Sequence, residues 1–218
     1  MNAPVDLLIT GFGPFPGMPR NPSAALARRL GTSVRLRLVL GGGLRVQVLE
    51  TTYAAIDAQL APALAEGPGA VLMLGVASRA ARMRVEARAA NRASRLYPDA
   101  AGRLASRLAL DPDGPAQRRS RVAVQALAIL RRHGLAVRPS RDAGRYLCNA
   151  SYFRALAQAC PVLFVHIPPR SRTARPRSRT RPWRGRRDPA AQAAALAEVA
   201  LLLVARARGS SRRTTGPT

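Results

Sequence analysis

Val162-Leu163-Phe164-Val165-His166-Ile167 is apolar at every position except His166 and is bounded by Pro161 and Pro168. A run this short suits a strand better than a helix. A strand without polar alternation is covered on both faces, as in a parallel sheet with helices above and below it. Working back along the chain, Ala70-Val71-Leu72-Met73-Leu74-Gly75 and Val5-Asp6-Leu7-Leu8-Ile9-Thr10 read in the same way. Helical signals lie between them. Asn21 is an N-cap, Pro22 suits the first turn and Gly31 a helix end, which predicts a helix over 22–30. Further helices are expected over 53–65, from a Ser120 cap to Gly134 with Val122, Ala126, Leu127 and Leu130 on one face, over 152–159, and over 190–206. Residues 34–40 and 44–49 partly alternate across Gly41–Gly43 and predict two strands, consistent with a hairpin, and residues 85–89 predict another. Strands alternating with helices make the fold class α/β, a three-layer α/β/α sandwich around a mostly parallel sheet.

The 218 residues, 47% of them hydrophobic, suffice for one core. All 36 basic side chains are Arg, against 11 acids, for a net charge of +25. Such uniform use of Arg resembles GC-rich coding as much as selection for charge, which weakens the step from high pI to nucleic acid. Two cysteines cannot build a disulfide framework, and no secretory signal is evident, so a cytoplasmic protein is expected. The longest apolar stretch, 190–205, is short of the roughly 20 residues a membrane crossing needs, which favours a terminal amphipathic helix and no membrane partner.

Residues 1–210 are read as one α/β unit followed by a flexible tail at 209–218. Within that unit, residues 170–187 hold nine Arg and no acid. This self-repelling, Pro-punctuated segment predicts a disordered insertion. As a polyanion-binding arm it would offer only Trp183 for stacking on a base, so nucleic acid is not the favoured partner.

Few side chains are available for chemistry. His133, at a helix end, is accounted for by the helix dipole. His166 lies at the carboxyl end of a buried strand, where open α/β sheets place their sites, and a backbone-bonded core histidine fits that position equally well. Cys148 sits at the start of a predicted helix, where the dipole favours a thiolate, although a lone Cys is more often a small buried hydrophobe. Cys160 has no such setting. Two Cys and two His, 12 and 33 residues apart, match no usual zinc spacing, so no metal is expected. The loop Gly11-Phe12-Gly13-Pro14-Phe15-Pro16-Gly17 has prolines where a phosphate loop needs N–H donors. Phe12 and Phe15 fit either an apolar ligand wall or ordinary core packing.

Four segments in one order, LITGFGPFPGMPRNPS, VEARAAN from Val85 to Asn91, AGRYLCN around Cys148 and VHIP around His166, resemble the pyroglutamyl peptidase family over about residues 5–169. The resemblance implies a cytoplasmic cysteine peptidase of α/β/α fold that removes N-terminal pyroglutamyl residues from peptides without metal or cofactor. It implies Cys148 as nucleophile, His166 as base and Glu86 as the orienting carboxylate, with substrate contacts at Phe12, Phe15, Asn21, Val76, Tyr146 and Leu147. The sequence departs from the family pattern at several places. Val76 stands where the family has Gln, Leu96 where it has Arg, with Arg95 one position early, Tyr146 where it has Phe, and Ala150 where it has His. The chain after His166-Ile167-Pro168 turns Arg-rich. The other readings are a drifted relative acting as an amidase or ligand-binding protein, and a nucleic-acid binder. A homo-oligomer is left open.

Overall fold

The computed structural model describes residues 4–169 and 188–214. Six strands form the main sheet: β1 (Leu7–Phe12), β2 (Leu44–Leu49), β3 (Val71–Val76), β4 (Met83–Glu86), β7 (Val137–Ser140) and β8 (Val162–Ile167), in the order β2-β1-β3-β8-β4-β7. All neighbours are parallel except β4 and β8. Two short strands, β5 (Arg88–Ala90) and β6 (Gln117–Arg119), pair antiparallel beside it.

Strand side chains point alternately to opposite faces, so the continuous apolar runs build two cores. Leu7, Ile9, Leu72, Leu74, Leu163 and Val165 join one core. That core is closed by α1 (Pro22–Gly31), α2 (Val34–Leu40), α4 (Ala123–Arg132) and α6 (Pro189–Thr214). Leu8, Phe12, Val71, Met73, Val162 and Phe164 join the other. That second core is covered by α3 (Ala61–Ala65), extended at its N-terminus by a π-helical turn at Ile56–Leu60, and by α5 (Leu147–Ala155). The expected three layers are present. The crossover from β1 to β2 runs on the first face and that from β2 to β3 on the second. The carboxyl ends of β1 and β3 therefore flank a topological switch point, where open α/β sheets leave a crevice.

Several local expectations need correction. Residues 34–40 form helix α2, not a strand: the slot beside β1 goes to β2, which pairs with it in parallel and so excludes a hairpin. Leu36 and Leu40, four apart, are buried while Val34 and Leu38 face solvent, a helical spacing beneath an alternating pattern. Ser120 is not a cap. Its hydroxyl donates to Val162 O at 2.7 Å and α4 begins at Ala123. The strand expected over 85–89 divides at Ala87, whose N–H bonds Ser140 O as the chain leaves the main sheet. The helix expected over 152–159 begins at Leu147 instead. Strands β6 and β7 were not foreseen.

The tail expected at 209–218 is helical as far as Thr214, held by Arg208 pairing with Asp6 at 3.5 Å. Residues 215–218, and the insertion expected at 170–187, lie outside the described residues. Pro189–Ser210 is long and apolar enough to span a membrane, but half of it is buried. Ala195, Leu196, Val199, Ala200 and Leu203 are spent on the protein's own core.

Asn21 caps α1 as expected, its Oδ1 accepting from Ser23 N at 3.0 Å, while its Nδ2 donates to Gly13 O at 2.8 Å. Gly11 lets this helix end approach, because a Cβ there would lie 2.7 Å from Ser23 O. Gly31 serves a similar need, since a Cβ would meet Val46 Cγ2 at 2.6 Å. Asn21→Ala should lower unfolding stability by about 1–2 kcal/mol, the usual cost of a lost cap, read from the shift of a urea midpoint.

Candidate active site

The second face of the sheet, beneath α5, carries Glu86 and His166. On β8 the residues of that face are Val162, Phe164 and His166, and on β4, which runs the opposite way, they are Arg84 and Glu86. Glu86 opposes Phe164 in register and Arg84 opposes His166, so Glu86 and His166 are diagonal neighbours within side-chain reach. Glu86 Oε1 lies 2.8 Å from His166 Nδ1, with the carboxylate fully buried and the imidazole nearly so. A buried carboxylate needs a partner, and the imidazole supplies it. The remaining oxygen, Glu86 Oε2, has no partner among the described residues.

Cys148 is the second residue of α5, whose N-cap residue Tyr146 makes no side-chain capping bond. The thiol therefore sits at the positive end of the dipole beside uncapped N–H groups. The sulfur lies over Gly75, the register neighbour of His166 on β3, so thiol and imidazole are neighbours. Burial by itself would lower the His166 pKa. The neighbouring Cys148 side chain, followed by Glu86, outweighs burial and holds it up at about 9 against an ordinary 6.5.

Three residues that position this group escaped the sequence reading. Gly75, opposite His166 in register on β3, lies directly under the helix start. A Cβ there would stand 2.6 Å from Phe164 Cζ and 3.0 Å from Cys148 Sγ. Asn149, fully buried, accepts from Ala90 N at 2.9 Å and donates to Ala90 O at 2.8 Å and Arg92 O at 2.9 Å, which ties the first turn of α5 to β5. Tyr152, one turn further along α5, donates its hydroxyl to Glu86 O at 2.8 Å. The available signals were a glycine ending an otherwise bulky buried strand and an Asn beside the Cys.

The residues implied as substrate contacts are dispersed. Phe12 is buried in the same core as Leu147 and Phe164. Phe15 is half-buried in a turn closed on Met18. Asn21 supports the loop that carries both. Val76 is a correction: strand alternation turns its side chain to the opposite core, away from the face of Gly75 and His166. Tyr146 donates to Pro98 O at 2.9 Å and meets Tyr53 edge-on. Leu96 faces solvent, and Arg95 is engaged by Ala105 O. His133 pairs with Glu198 on α6 at 2.7 Å, a structural tie. Cys160 is a free thiol whose pKa burial pushes up. Among the described residues no three His, Cys, Asp or Glu side chains cluster as a metal site.

A family model for pyroglutamyl peptidase matches residues 5–169. The chain belongs to the pyroglutamyl peptidase family. It is a peptidase and hence a hydrolase, as the motif resemblance implied. Similar proteins include the pyrrolidone-carboxylate peptidase of Gloeobacter violaceus, 34% identical over 169 residues that cover 74% of this chain and 80% of that one. The corresponding protein of Deinococcus radiodurans is 33% identical over 171 residues, covering 74% and 77%. The crystal structure of pyrrolidone carboxyl peptidase from Thermus thermophilus matches with a TM-score of 0.75 at 35% identity, over 90% of this chain and 99% of that one.

Two outcomes follow from this geometry. Gly75→Ala should displace the Phe164 ring and the Cys148 thiol, lowering the melting temperature and slowing thiol alkylation at neutral pH. The folded protein holds the His166 proton up to about pH 9, whereas the unfolded imidazole releases it near 6.5. The resulting stabilisation is complete below the lower value and is lost as pH rises through the upper one. The stability gap between the wild type and Glu86→Gln, measured by denaturant unfolding, should therefore be widest below pH 6.5 and shrink by pH 9.

Proposed function

We propose that this protein removes N-terminal pyroglutamyl residues from peptides, with Cys148 as nucleophile, His166 as base and acid, and Glu86 as the carboxylate that orients the imidazole. The observation that carries the reading is one imidazole bonded to a buried carboxylate and neighboured by a thiol at a helix N-terminus. The thiolate attacks the carbonyl carbon of the pyroglutamyl residue, and the uncapped N–H groups of α5 favour the oxyanion that forms. Collapse of the tetrahedral intermediate breaks the C–N bond as His166 donates its proton to the departing amine. The neutral imidazole then takes a proton from water, whose oxygen attacks the thioester carbonyl. Expulsion of the Cys148 thiolate frees pyroglutamate and restores the ion pair. Nucleophile, acid and base all come from this chain, so the sequence of steps closes with water alone. A free thiol in this role suits a reducing compartment, and we assign the protein to the cytoplasm on that ground.

Hydrolysis of a pyroglutamyl fluorogenic amide, beside amides of residues with a free amine, tests the reading. The wild type should cleave the pyroglutamyl compound selectively, and Cys148→Ala should abolish turnover. Glu86→Gln should lower kcat by roughly 10²–10⁴, the range expected when a base loses its orienting group. With the thiolate–imidazolium pair as the reactive form, kcat/KM should fall in alkali as His166 deprotonates at about pH 9. Equal cleavage of free-amine substrates would remove the pyroglutamyl assignment. Because Phe12 is core and Phe15 is half exposed, Phe15→Ala is the cleaner probe of the ring pocket. It should raise KM for the pyroglutamyl amide while barely moving the melting temperature.

A further inference from the structure

Beside His166, on the same face of the sheet, lies a cavity of about 320 Å³ lined by Arg79, Ala80, Ala81, Arg82, Arg84 and Arg138. Four of its six lining residues are cations and none is an acid. Arg84 is the register partner of His166, and Arg138 is the register partner of Arg84 on β7. Met83, Val85 and Val137 are spent on the opposite core, so Arg84 and Arg138 project to the face used by His166 and Glu86. None of the four arginines forms an ion pair among the described residues. Arg84 Nε is buried with no hydrogen-bond partner there. Unsatisfied buried donors and like charges across neighbouring strands are both unfavourable, and a bound carboxylate relieves both.

The order of the strands gives this cavity a place in the reaction proposed above, on which the inference rests. Across the sheet come Phe12 on β1, Gly75 under Cys148 on β3, His166 on β8, Arg84 on β4 and Arg138 on β7. His166 protonates the departing amine, so it stands on the leaving-group side of the scissile bond. The pyroglutamyl ring then lies toward β1, and the rest of the peptide runs over β4 and β7. Strands are spaced about 4.8 Å apart and an extended peptide advances about 3.3 Å per residue, which brings the second and third residues of the leaving peptide over the arginines. We propose that this cavity is the leaving-group subsite and that it selects pyroglutamyl peptides carrying a carboxylate, from a side chain or the chain terminus, within about three residues of the cleaved bond.

The test compares kcat/KM for four peptides, pyroglutamyl-Ala-Ala amide, pyroglutamyl-Ala-Glu amide, pyroglutamyl-Ala-Ala with a free terminus, and pyroglutamyl-Ala-Lys amide. At low salt the two carboxylate peptides should exceed the neutral amide by about tenfold, mainly through KM, with the Lys peptide slowest, and about 0.5 M salt should shrink the spread. The Glu amide and the free acid separate the two sources of carboxylate. Arg138→Gln and Arg79→Gln, both exposed positions, should bring the ratio of acidic to neutral peptide toward one, with unchanged melting temperatures as the folding control. Equal rates across the four peptides, or a ratio insensitive to these substitutions in folded protein, would overturn the subsite while leaving the peptidase reading in place. Cleavage of no pyroglutamyl peptide or amide would overturn that reading and the subsite with it.

Discussion

A carboxylate with no exposure to solvent, Glu86, is the constraint around which the rest of the site is arranged. Its single side-chain partner among the described residues is His166 Nδ1 at 2.8 Å, and breaking such a buried pair leaves an uncompensated charge. The pair spans the one antiparallel junction of the main sheet, β4 against β8. That reversal brings Glu86, from a strand running the other way, diagonally beside the histidine of β8. The thiol of α5 lies over Gly75, the neighbour of that histidine on β3.

Helix α5 is held in place from three sides. Asn149 bonds β5 and Arg92, Tyr152 bonds the backbone of Glu86, and Phe153 packs in the core beneath the helix. The missing side chain of Gly75 lets the helix start settle onto the sheet. These contacts hold the thiol over Gly75, beside the strand position of His166. They also separate two kinds of residue around the site: those that would touch substrate, and those, such as Asn149 and Tyr152, that position the groups that do.

Much of the fold was legible because the buried strands are apolar at nearly every position, a pattern that identifies a sheet covered on both faces whatever its strand order. Reading failed where local pattern and tertiary context disagreed. Residues 34–40 alternate like a strand, yet the place beside β1 is taken by β2, and burial of Leu36 and Leu40 against the first core goes with a helix. Residues 117–119 and 137–140 are too short and polar to announce strands, and they pair only because β5 and β4 offer them edges. Val76 occupies a motif position, but strand alternation turns its side chain away from the site.

By itself the sequence determined the α/β class, the family, the cap at Asn21, and the short roster from which a nucleophile and base could be drawn, since the chain holds two Cys and two His. Those properties follow from local chemistry: periodicity, capping, and residue types in a fixed order. The motif resemblance pointed to Glu86 as the orienting carboxylate, but only the tertiary structure shows how a side chain 80 residues away reaches His166, diagonally across the antiparallel β4–β8 pair. The same holds for Gly75 clearing space for Cys148 and for four arginines from three segments lining one cavity beside the histidine. Each of these depends on strand order and register, which are set by long-range pairing and by the sharing of two sheet faces between helices. No local pattern in the chain encodes them.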